Sequence, residues 1–99
     1  MAAVDIGHDV QIEILHSALA GGTAVGLDYE HPRGDSRRCV GFVYFDTPQV
    51  RRVFTPDEGR MWSVKQEAPL TLWPSLLCQA CGHHGWIRDG RWVPAGGEG

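Results

Sequence analysis

The stretch Gly85-Trp-Ile-Arg-Asp-Gly-Arg-Trp-Val93 decides the fold class. Two short runs rich in Trp, Ile and Val flank Asp89-Gly90, and an Asp-Gly pair supplies the positive φ angles of a type I′ turn. The segment reads as a β-hairpin. Outward from it, Leu70-Thr-Leu-Trp73 is a short strand closed by Pro74, and Met61 to Gln66 alternates apolar and polar residues. Arg38-Cys-Val-Gly-Phe-Val-Tyr-Phe45 is the strongest strand, dense in β-branched and aromatic residues. Val10 to Ile14 alternates in the same way, and Thr23 to Tyr29 reads as a further strand. Val50 to Phe54 is expected to be a short partner strand between two Pro-containing breaks, and Leu15 to Ala20 a single helical turn. His31 to Ser36 has the composition of a loop.

The whole chain agrees with that pattern. Ninety-nine residues suit one domain, and 13 glycines with six prolines disfavour a helical bundle. The expected architecture is all-β or β-rich α+β: a single domain over residues 1–94, built of short antiparallel strands, with a zinc-knuckle-like turn and a C-terminal hairpin. Residues 95–99 have nothing to bury and read as a flexible tail. Ile12, Ile14, Val40, Phe42, Tyr44, Val53, Leu72, Trp86 and Trp92 are the expected core.

The net charge of −3 arises in residues 1–27, which hold Asp5, Asp9 and Glu13 and no Lys or Arg. Arg37-Arg38 and Arg51-Arg52 are accompanied by Asp35, Asp46 and Asp57, so a mixed-charge face is expected and nucleic-acid binding is not. Ala68 to Ile87 lacks charged residues but contains two prolines, a glutamine and two histidines, which excludes a membrane span. No basic, apolar leader opens the chain and the three cysteines are odd in number, so reduced thiols in a cytoplasm are expected.

Cys78-Gln-Ala-Cys81-Gly82-His83-His84 carries the chemistry. A Cys-x-x-Cys turn presents two thiolates from one tight loop, and the following glycine permits the left-handed backbone of a zinc knuckle. His84 could supply a third ligand, with His83 as its competitor. Cys39 is favoured as the fourth over His31, His16 and His8. Inert buried thiols or a redox pair are the alternatives. Ser75 forms a second constellation with His84, nine residues on, because an imidazole that takes a hydroxyl proton makes serine a nucleophile. An orienting acid would be Glu67, Asp89 or a more distant residue.

Leu70-Thr-Leu-Trp-Pro-Ser-Leu-Leu77, with Cys81-Gly-His-His-Gly-Trp-Ile-Arg-Asp-Gly-Arg-Trp92, resembles a small family of phage and bacterial proteins. Its members are similar to proteins encoded beside bacterial ubiquitin-like conjugation genes, where a serine-peptidase-like role has been proposed. The resemblance implies Ser75 and His84 as active residues with Cys81 beside them. Two functions follow as expectations. The first is a small cytoplasmic zinc-binding module of phage origin that engages a protein partner. The second is a Ser/His peptidase acting on the tail of a ubiquitin-like or other protein. They conflict at His84, because an imidazole bound to zinc has no lone pair left for a proton.

Overall fold

The computed structural model describes residues 3–33 and 36–95. The first four strands form an antiparallel meander: β1 (Val4–Gly7), β2 (Val10–Ser17), β3 (Thr23–Pro32) and β4 (Arg38–Phe45). The helix α1 (Pro48–Phe54) then crosses over, so that β5 (Met61–Gln66) pairs parallel to β4. A parallel neighbour cannot be reached through a tight turn, and the helix supplies the crossover. The strand β6 (Thr71–Trp73) closes a six-stranded sheet in sequential order. A second sheet holds β7 (Leu76–Leu77), β8 (His84–Arg88) and β9 (Arg91–Pro94). Among the described residues the fold is β-rich with one short α-helix. Among the described residues, no helix is long and apolar enough to cross a membrane. Of the expected tail, Gly96 to Gly99 lie outside the described residues.

The hairpin forms as read. Asp89 and Gly90 take φ of 52° and 74° between β8 and β9. The Asp89 N–H donates to Thr71 Oγ1 and the Gly90 N–H to the Leu70 carbonyl, each at 2.8 Å, which seats the turn against the start of β6. A Cβ at Gly90 would lie 3.1 Å from the Pro69 Cβ. Gly90→Val therefore combines a β-branched residue at positive φ with a tight contact. It is expected to cost about 1–2 kcal/mol, read as a lower melting temperature; an unchanged melting temperature would contradict this role for the turn.

Val50 to Phe54 is helical, which corrects the expected strand. Thr47 caps the helix by accepting from the Val50 N–H at 3.2 Å, and Pro48 stands in the first turn, where its missing donor costs nothing. That start signal outweighs the β preference of Val50 and Val53. Arg51 then ties the helix down, donating to Asp46 at 2.6 Å and to Glu58 at 3.0 Å. The hydrogen bond from Arg51 holds the Asp46 carboxyl below the usual carboxylate range.

The main core lies between the sheets and contains Ile6, Ile12, Leu27, Val43, Phe45, Leu72, Leu76, Ile87 and Trp92. Val50 packs with Ala20 and Val25 in a second, smaller cluster. The expected core is wrong in β4, where Val40 is 70% exposed and Phe42 and Tyr44 are only half-buried. Both parities of that strand are rich in apolar side chains, so alternation could not choose between them. The inward set is Cys39, Gly41, Val43 and Phe45, and Gly41 is needed there because a Cβ would meet the Tyr29 ring at 2.7 Å. That one-residue shift turns Cys39 toward the site. Ile14, Val53 and Trp86 are likewise only half-buried.

Candidate functional site

The loop between β7 and β8 folds as a knuckle. The Cys78 N–H donates to the His83 carbonyl at 2.8 Å and the Gly82 N–H to the Cys78 carbonyl at 2.7 Å, with Gly82 at φ 80°. Burial pushes the Cys78 thiol up, yet hydrogen bonding from the backbone of Cys81 and Ala80 and from the neighbouring thiols brings it below its ordinary value. The backbone is thus arranged to favour a thiolate at Cys78.

Cys39 from β4 and His31 from β3 complete the group. The ligand atoms of His31, Cys39, Cys78 and Cys81 all lie within 4.8 Å of one another. Cys39 Sγ is 3.9 Å from Cys81 Sγ. Two thiolates on one zinc at about 2.3 Å, at tetrahedral angles, stand about 3.8 Å apart, so the spacing fits. His31 is 1% exposed and its Nδ1 sits 3.2 Å from the Pro32 carbonyl. A carbonyl can only accept, so Nδ1 carries the proton and Nε2 keeps its lone pair for a ligand role. Burial and the thiols of Cys78 and Cys81 push Cys39 up to about 11. Three adjacent thiolates repel one another unless a cation stands among them. The four residues form a candidate metal site whose donor chemistry is compatible with zinc.

Of the ligands expected from sequence, the structure brings Cys39, Cys78 and Cys81 together and puts His31 in the place given to His84. Strand alternation is the reason. His83 turns inward, stacked between His31 and Trp92 with ring centroids 4.1 and 5.0 Å away. Its Nδ1 is buried without a hydrogen-bond partner, and burial lowers its basicity. His84 turns to the other side. Its Nε2 lies 2.8 Å from Ser75 Oγ, and its ring stacks on Trp86 with centroids 5.9 Å apart.

Ser75 follows β6, and the Trp62 indole N–H donates to its carbonyl at 3.2 Å. The β7–β8 pairing sets Leu77 opposite His84, which brings the histidine back alongside Ser75. Hydroxyl and imidazole are at the distance a nucleophile and its base require. Neither acid expected to orient the imidazole does so. Asp89 sits in the hairpin turn at the far end of β8, where it accepts from Gln66 Nε2 at 3.1 Å. Glu67 lines a separate pocket with Ile14 and His16. Among the described residues the arrangement is a Ser–His pair, with the ring held by Trp86 and by the strand.

A family model described as "Bacterial ubiquitination-like system serine protease (BubE)" matches residues 46–95. The chain belongs to this family. The BubE match spans Ser75, His84, Cys78 and Cys81, while His31 and Cys39 come from strands before it. No curated protein and no solved structure matches the chain.

His31, a candidate donor that the sequence places in a loop and ranks below Cys39, shares the parity of Leu27 and Tyr29 and faces inward because β3 runs on to Pro32. Nothing in the spacing of Trp62 announces its bond to Ser75.

Proposed function

We propose that this chain is a serine peptidase in which Ser75 is the nucleophile and His84 the general base, carried on a zinc-stapled scaffold. The observation that carries this reading is the 2.8 Å contact between His84 Nε2 and Ser75 Oγ, made while His31 occupies the fourth position of the cysteine cluster. The conflict at His84 is thereby removed, and the metal-module and peptidase readings describe two parts of one molecule.

In the reaction, Ser75 Oγ attacks the scissile carbonyl and His84 Nε2 takes its proton, giving a tetrahedral intermediate. His84 then returns that proton to the leaving amine as the C–N bond breaks and an acyl-serine forms. Water, deprotonated by His84, attacks the ester, and Ser75 recovers its proton on release of the acid. Zinc held by His31, Cys39, Cys78 and Cys81 would supply folding energy and would fix the knuckle from which β8 presents His84. Trp62 positions the Ser75 backbone.

The family description, a serine protease of a bacterial ubiquitination-like system, supports a substrate from such a system, and the substrate proposed is the C-terminal tail of a ubiquitin-like protein or of its conjugate. A protein partner is then the substrate itself, and the reduced thiols suit a cytoplasm. The test uses a ubiquitin-like protein with a short C-terminal extension. Mass spectrometry should find the extension released by the wild type and intact after incubation with Ser75→Ala. Equal release by both proteins would refute the assignment.

A further inference from the structure

The groove beside Ser75 has features that the Ser–His pair does not require. It encloses about 430 Å³ and is lined by Gly41, Phe42, Arg60, Trp62, Ser75 and Leu77, among others. One wall is an open strand edge. β4 pairs with β5 only at Tyr44 and Phe45, so Cys39 to Val43 are paired on the β3 side alone among the described residues. The facing wall is β7, itself the edge of the second sheet. Two unpaired edges flanking a candidate nucleophile form a seat for an extended chain, whose main-chain groups can satisfy theirs. Leu77, 48% exposed, offers apolar contact within the groove.

Arg60 gives the groove its charge. It makes no ion pair or side-chain hydrogen bond with another described residue, in contrast to Arg38 with Asp9 and Glu30, and to Arg51 with Asp46 and Glu58. Among the described residues no acid lines the groove. A lone guanidinium in a groove, on a chain of net charge −3, is placed to receive an anion from outside.

We infer that the groove binds an extended peptide by strand addition and that Arg60 engages a carboxylate of that peptide. This rests on the peptidase reading and names what its substrate must carry. The carboxylate can be an acidic side chain or a free C-terminus.

The experiment measures binding to Ser75→Ala, which cannot turn the peptide over. The probes are fluorescein-labelled hexapeptide pools with one position fixed as Glu, Gln or Lys, each made as a free acid and as a C-terminal amide. A preference of about tenfold to a hundredfold for the carboxylate-bearing member is expected, the range of a charge-assisted bidentate contact. Preference for Glu among the amides identifies a side chain, and preference for free acid over amide identifies the terminus; either supports the inference. Arg60→Gln should bring the ratio close to one, and Arg60→Glu should shift it toward Lys-containing pools. Alternate N-methylation of the best peptide should weaken binding with a period of two, as strand pairing demands. Absence of a carboxylate preference, its persistence in Arg60→Gln, or uniform tolerance of N-methylation would each overturn the inference. Because binding to Ser75→Ala needs no catalysis, failure of the peptidase reading would appear separately, as a wild type that cleaves nothing.

Discussion

Removing zinc from the proposed site at His31, Cys39, Cys78 and Cys81 is expected to unfold this domain. The cluster joins β3, β4 and the loop between β7 and β8, so it bridges the two sheets across the main core. Structural zinc sites in small domains bind with about 10–16 kcal/mol of apparent free energy. A domain is typically stable by only about 5–15 kcal/mol, so removing the ion takes away most or all of that margin. In its absence, burial and two neighbouring thiols push Cys39 to about 11, and His31 is left as a buried imidazole without its ligand role. The purified protein should carry close to one zinc per chain by elemental analysis. A strong chelator should abolish its cooperative melting transition, and added zinc should restore it. Cys39→Ser, Cys78→Ser, Cys81→Ser and His31→Ala should each lose metal and fold together, whereas His84→Ala should keep both. Loss of zinc in His84→Ala, or a metal-free protein that melts like the wild type, would contradict the ligand set.

The second large effect is catalytic. Ser75→Ala should lower kcat by at least about a thousandfold, since removal of either member of a nucleophile–base unit costs most of what the unit supplies. His84→Ala should lose about as much, and the double variant little more than either alone. Strict additivity of the two losses would show that the residues act separately. Neither substitution should shift the melting temperature much, because His84 is exposed and Ser75 only half-buried. The Ser–His pair has no carboxylate partner among the described residues, so Trp86→Ala, which frees the imidazole ring, should lower kcat more than it raises KM.

The hairpin and β4 were legible because their signals are local. Asp89-Gly90 sets its own backbone, and the run from Arg38 to Phe45 is dense in strand-forming residues. The helix at Pro48 is masked for a local reason too: Val50 and Val53 favour strands, and the cap from Thr47 that overrides them is a single hydrogen bond. The facing of β4 could not be read locally, because Tyr29 on the neighbouring strand requires Gly41 on the inner side. The same holds for the site. Cys78 and Cys81 announce themselves by spacing, but His31 enters the cluster only through the pairing of β3 with β4, which sets it opposite Cys39. Ser75 and His84 could be named from the motif, while their separation from the metal depends on which way successive residues of β8 point.

Covalent labelling tests the nucleophile most directly. Zinc-loaded wild type treated with a fluorophosphonate should acquire one adduct, and peptide mapping should locate it on Ser75. The adduct should disappear in Ser75→Ala and form far more slowly in His84→Ala, with the zinc content of both variants equal to wild type. A folded, zinc-loaded protein that takes no label, or that is labelled equally fast without His84, would contradict a Ser75 nucleophile served by His84.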